Sequence, residues 1–188
     1  MPDMSSRSRP VDTVNMEAKR KTISFEDFQR RARLMVCLDH GRAGNGFFQT
    51  LFDQHPQVLT CPWVHYTHSY AFNLFPDPNR IPVSAAKEIW LRESYFRLIF
   101  NEPDEAARKL IRRMGADPNS PVDRTAARTA FSQILSDRDF VTAADLICAS
   151  YFCYGLAIGR DLETVRYFLT TDMFSTKKET PFTGFKGE

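Results

Sequence analysis

Leu34-Met35-Val36-Cys37-Leu38 runs into Asp39-His40-Gly41-Arg42-Ala43-Gly44-Asn45-Gly46, and then into Phe47-Phe48-Gln49-Thr50-Leu51-Phe52. Five consecutive apolar residues, bounded by Arg33 and Asp39, predict a short strand buried on both faces, as in a parallel sheet. Three glycines in the six residues that end at Gly46 predict a turn that lets the backbone approach something closely. Phe47–Phe52 has a helical pattern. His55-Pro56 ends that helix, because proline disfavours helical geometry in the residue before it. Val58-Leu59 opens a second short strand, stopped at Pro62. A strand, a glycine-rich turn and a helix start is an arrangement that cradles phosphate. Backbone N–H groups point at the anion there, and the helix dipole favours negative charge. Arg42 adds a fixed cation with forked donors.

The spacing from Gly41 to Gly46 matches the first part of a nucleotide-binding P-loop. The Lys-Ser/Thr pair that should follow is replaced by Phe47 and Phe48. No hydroxyl is placed to hold magnesium, which counts against an ATPase, GTPase or nucleotide kinase. The reading is a phosphate loop that works without a metal.

The segment Gly41-Arg42-Ala43-Gly44-Asn45-Gly46 through His55-Pro56-Gln57-Val58 resembles the 5′-phosphosulfate-binding segment of the sulfotransferases. That pattern is Gly-Arg-Ser-Gly-Thr-(Thr/Ser), two apolar residues, a short helix ending in His-Pro, then an apolar strand. The resemblance implies transfer of a sulfuryl group from 3′-phosphoadenosine 5′-phosphosulfate (PAPS) to a hydroxyl of a carbohydrate or small molecule. It implies an α/β fold like that of the P-loop kinases: three αβα layers, here with a short, incomplete parallel sheet and a helix-rich second half. Arg42 takes the position of the basic residue that contacts the phosphosulfate. Gly41, Ala43, Gly44, Asn45, Gly46 and Phe47 line the cofactor-binding turn, with the Asn45 amide in place of one hydroxyl donor.

Two departures define an alternative. Ala43 and Gly46 stand where the family has hydroxyl residues, each contact being worth about 1–3 kcal/mol. The family also has a later strand followed by Arg-Asp-Pro, with a Ser beyond, for the 3′-phosphate. Arg160-Asp161-Leu162 is the echo of that motif, and Arg160 is the candidate 3′-phosphate contact. The alternative is a non-catalytic interaction domain that keeps a degenerate P-loop skeleton.

A hydroxyl acceptor needs a general base within hydrogen-bond reach. His65 and His68 are the candidates beyond the second strand. His40 in the turn and Glu93 farther on are others, and each also reads as an ordinary surface residue. His65-x-x-His68 lacks a third ligand at zinc spacing, so no metal site is expected. Trp63, Tyr66, Tyr70, Phe72 and Phe75 read as loop packing or as a stacking surface for a sugar or adenine. Arg92, Arg97, Arg108, Lys109, Arg112 and Arg113 alternate with Glu88, Glu93, Glu102, Asp104 and Glu105, the mixture of a solvated face.

Outward from this segment, Ser24 caps a helix over Phe25–Arg31. Tyr66–Pro82 reads as an ordered loop. Ser84 is placed to cap a long helix over Ala85–Phe100. Further helices are expected over Asp104–Met114 and Val122–Leu135. A fourth, capped by Thr142, spans Ala143–Ile158 and stops at Gly159. It is apolar nearly all round and so should be central. Val165–Leu169 reads as a short strand or a helical turn.

The 188 residues suit one domain. Residues 1–23 read as a flexible leader, 24–175 as the α/β domain and 176–188 as a loose tail. Eight Lys and Arg against five Asp and Glu in residues 1–33 make the leader mildly basic. A transit peptide is the other reading of it, against which Asp3, Asp12 and Glu17 count. The whole chain is only +2, so no nucleic-acid partner is implied. No apolar run suits a transmembrane segment, and a cytoplasmic location is expected. Cys37, Cys61, Cys148 and Cys153 read as reduced, packed thiols. Half a sheet would leave an edge strand and an apolar face that a second copy, a homo-oligomer, could cover.

Overall fold

A computed structural model describes residues 23–39, 45–65, 73–94, 96–113, 117 and 119–173. The first helix, α1, is Phe25–Arg31, and Ser24 starts it by accepting from the Asp27 N–H at 3.1 Å. The chain turns at Ala32 into β1 (Arg33–Asp39), and α2 (Asn45–Thr50) follows the glycine-rich stretch. Next come β2 (Val58–His65) and β3 (Ile81–Pro82). A helical stretch, α3, is built of Val83–Ala85, a π-helical Ala86–Trp90 and Leu91–Glu93. The remainder is α4 (Arg97–Phe100), α5 (Glu105–Arg113), α6 (Arg124–Ile134), β4 (Phe140–Val141), α7 (Ala143–Ala157) and β5 (Tyr167–Met173).

The fold is mixed α/β with a small parallel sheet, as its sequence leads one to expect. Its strand order is β1-β5-β2, and both pairings are parallel. A separate antiparallel pair joins β3 to β4. On β5 the neighbours Phe168 and Leu169 point to opposite faces and are 5% and 1% exposed, so both faces of the central strand are covered. Phe168 meets Phe28 of α1 and Tyr151 of α7, and α2 lies against β2 and β5.

The core is organised by α7. Thr142 and Asp145 form a reciprocal capping box. Gly159 ends the helix in the left-handed region, at φ 67°. Twelve of the fifteen residues are buried, so no amphipathic stripe exists and other elements pack on every side. Trp90 donates its indole N–H to Ser150 Oγ at 2.8 Å, and Tyr151 OH donates to Leu169 O at 2.7 Å. Gln29 Nε2 reaches Asp145 Oδ1 at 2.7 Å, which ties α1 to the start of α7.

Three local expectations are corrected. Strand β1 is an edge rather than a strand buried on both faces: Leu34–Cys37 are only half-buried and Leu38 is 43% exposed. The second strand does not stop at Pro62 but continues to His65, with its register to β5 shifted between Thr60 and His65, the interval that holds the proline. The single helix over Ala85–Phe100 is broken. Ser94 is extended (ψ 160°), and both its N–H and its hydroxyl donate to Trp90 O, at 3.3 and 2.6 Å, so the last turn closes there on a side-chain bond. Ser84 lies inside the helical stretch and is not its N-cap; Pro82 takes that position, without a side-chain cap.

Candidate functional site

Parallel pairing sends the C-terminal ends of β1, β5 and β2 to one edge of the sheet. Cys37, Thr171 and His65 lie level across the three strands, and Asp39 pairs with Met173 at the end of β1. The chain leaves Asp39 at this edge and returns as α2 at Asn45. Open α/β sheets bind ligands outside the carboxyl ends of their strands.

Of the expected turn residues, Gly41, Arg42, Ala43 and Gly44 lie outside the described residues, as do His40 and His68. Asn45 and Gly46 form the first turn of α2. Phe47 follows them with its ring 71% exposed, and its carbonyl accepts from Thr50 Oγ1 at 2.7 Å. His65 ends β2 on the same sheet edge as Asp39 ends β1. Two strand spacings, about 10 Å, separate its strand from β1.

Arg160 is not brought to this edge. It precedes β5, and its guanidinium donates to the carbonyl of His55, which precedes β2. Thr164 Oγ1 bonds Pro56 O at 2.8 Å, and the Arg166 and Tyr167 N–H groups both reach Gln57 O. Residues 160–167 therefore clamp residues 55–57 at the N-terminal edge. A seven-residue strand separates the two edges by about 20 Å. The Arg-Asp echo in the sequence is a structural clamp here.

Glu93 is tied to Arg92 in an exposed pair at 2.8 Å. Arg92, Arg112 and Arg124 pair with Glu88, Glu105 and Glu102, the mixed surface expected of that region.

The residue missed in the sequence is Gln49. It is 2% exposed in α2, and among the described residues neither Oε1 nor Nε2 has a hydrogen-bond partner. A buried amide left unpaired costs stability, and most such groups are paired. Phe48 and Phe52 stack edge-on at 5.2 Å while Phe47 and Leu51 face outward. The polar residue thus takes an inner face that the apolar pattern assigns to phenylalanine.

Beneath the sheet, burial pushes the Tyr154 phenol up, with Cys61 and Asp53 adding to it. Asp53 itself accepts from Thr60 Oγ1 at 3.0 Å. Burial raises Tyr151 likewise, and Cys148 to about 12, there helped by Asp145. These groups stay protonated at neutral pH and belong to the core. None of the four cysteines is in a disulfide; Cys37 is partly exposed and the others are buried. Among the described residues no group of three His, Cys, Asp or Glu is placed to hold a metal ion, and no helix is long and apolar enough to cross a membrane.

Comparison with protein-family models, with curated proteins and with solved structures finds no match to this chain.

Proposed function

We propose that the chain binds PAPS through the Gly41–Gly46 turn and transfers its sulfuryl group to a hydroxyl on a carbohydrate or other small acceptor. One observation carries this reading. A parallel strand, β1, runs into the glycine-rich turn and out into α2 at the sheet edge where such folds bind ligands. The P-loop-like, three-layer description of the fold belongs to the same proposal.

The donor set fits the phosphosulfate end of the cofactor. Helix α2 has only six residues, so its dipole contributes little. The anion would rest on the turn's own N–H groups and on the forked Arg42 guanidinium. PAPS, when bound, supplies the sulfuryl group. Arg42 would stabilise negative charge on the phosphate oxygen that leaves. His65, on the same edge, and His68 are the candidates to take the acceptor's proton. The Gln49 amide, without a hydrogen-bond partner among the described residues, supports a site that something else completes.

The place of Arg160 favours the second reading, a non-catalytic interaction domain, because it removes the residue expected to hold the 3′-phosphate. Calorimetric titration with adenosine 3′,5′-bisphosphate separates the two. Micromolar binding by the wild type, weakened at least about tenfold in Arg42→Ala, is expected of the enzyme. No binding by the folded wild type overturns it and leaves the interaction domain.

A further inference from the structure

The parallel sheet has two edge strands, and they differ. On β2, Pro62 has no N–H to offer and the ladder to β5 is interrupted between Thr60 and His65. Proline and bulges blunt an edge against further pairing. Strand β1 has neither device. Its seven residues hold unbroken register with β5, from Arg33↔Tyr167 to Asp39↔Met173. Among the described residues no strand pairs with its other side. Leu34, Met35, Val36 and Cys37 are only half-buried there, and Leu38 is exposed.

One hydrogen bond fixes which backbone groups face outward. The Arg33 N–H donates to Arg166 O at 2.8 Å, so the N–H and C=O of Arg33 face β5. Alternation gives Met35, Cys37 and Asp39 the same direction. Leu34, Val36 and Leu38 therefore turn their N–H and C=O groups away from the sheet.

That outward row is complementary to itself. A two-fold axis through Val36, normal to the sheet, brings a second β1 alongside in antiparallel sense. Val36 then meets Val36, and Leu34 meets Leu38; these are outward-facing residues, and each such pair exchanges two N–H···O bonds. Met35 meets Cys37. Arg33 meets Asp39 at both ends, in non-hydrogen-bonded positions where opposed residues come closest and opposite charges are favoured. A slip of one residue sets outward groups against inward ones. A slip of two leaves Arg33 or Asp39 without its counterpart. This one register satisfies the backbone, the apolar residues and both charges.

We propose that a second copy of the chain docks on β1 in this register, making one continuous sheet in the order β2-β5-β1-β1-β5-β2. The interface is isologous and closes as a dimer. It places the Asp39 ends of the two β1 strands at opposite edges of the shared sheet. It does not depend on sulfuryl transfer.

Sedimentation velocity of the full chain over a concentration series tests this. The wild type is expected to reach twice the 21.7 kDa chain mass. Val36→Pro removes one outward N–H and leaves the bonds to β5 intact; it is expected to sediment as a monomer. Arg33→Asp sets like charges opposite each other at both ends and should weaken the dimer about tenfold. Adding Asp39→Arg should restore it. Circular dichroism confirms that each variant is folded, and should Val36→Pro not fold, the charge swap decides alone. A wild type that stays monomeric throughout overturns the proposal. So does a dimer that Arg33→Asp does not weaken, or one that the double swap fails to restore.

Discussion

Trp90 and Ser150 share a hydrogen bond of 2.8 Å where neither is more than 1% exposed, and Ser150 Oγ in turn donates to Leu146 O. The serine hydroxyl is thus both acceptor and donor in a place that water does not reach. Ser150→Ala strands the indole N–H. The expected loss is about 1–3 kcal/mol, read as a lower urea midpoint with an unchanged slope.

Gly155 is fixed by close approach rather than by its backbone angle. A Cβ there would lie 2.4 Å from Leu162 Cδ2 and 3.3 Å from Leu59 Cδ2, and both leucines are buried. Gly155→Ala should cost about 1–3 kcal/mol by overpacking. At Gly159, the cause is the positive φ. Gly159→Ala should cost about 1–2 kcal/mol. Thermal melts of the two variants check both.

Alkaline pH should weaken the fold. Burial holds the Cys148 thiol at about 12, against an ordinary 9, and raises Cys153, Tyr151 and Tyr154 as well. The native state keeps protons that the unfolded chain loses, so stability is full below pH 9 and falls as pH climbs toward 12. Urea midpoints compared at about pH 8 and about pH 10.5 should show the drop. At the lower pH, thiol titration should find at most Cys37 reacting quickly; the three buried thiols should react only after denaturation.

Gln49→Leu should raise stability by about 1 kcal/mol, since it replaces a buried, unpaired amide with an apolar group. A denaturant series reads this gain. Of the proposed cofactor site one further result is expected, a fall in affinity for adenosine 3′,5′-bisphosphate.

Arg160→Ala should leave that affinity within about twofold, because the residue lies a strand's length from the turn. Its loss should instead appear as lower stability, through the clamp on His55. A large affinity loss in a fully stable variant would contradict this placement.

Elements with a local cause were legible from sequence. Ser24 and Thr142 cap the helices they were expected to cap, and α7 is central because it is apolar on every side. Strand β1 was legible as a strand from five apolar residues, but not as an edge. Sheet order depends on β5, whose position between β1 and β2 leaves no mark on either. The break at Ser94 was invisible because apolar periodicity persists across it, while Ser94 leaves helical geometry (ψ 160°) with its hydroxyl bonded back to the Trp90 carbonyl. At the candidate site, the strand and helix flanking the turn were legible. Arg160 was legible in its place after the helix that stops at Gly159, but its bond to the His55 carbonyl was not, because it depends on how β5 lies beside β2.

The order β1-β5-β2 also has a consequence in time. The middle strand is the last one made, so the outer two emerge from the ribosome with nothing to join them until residues 167–173 follow. Loop closure between such distant segments is slow. Until then β1 is an apolar ribbon without the one described strand that pairs with it.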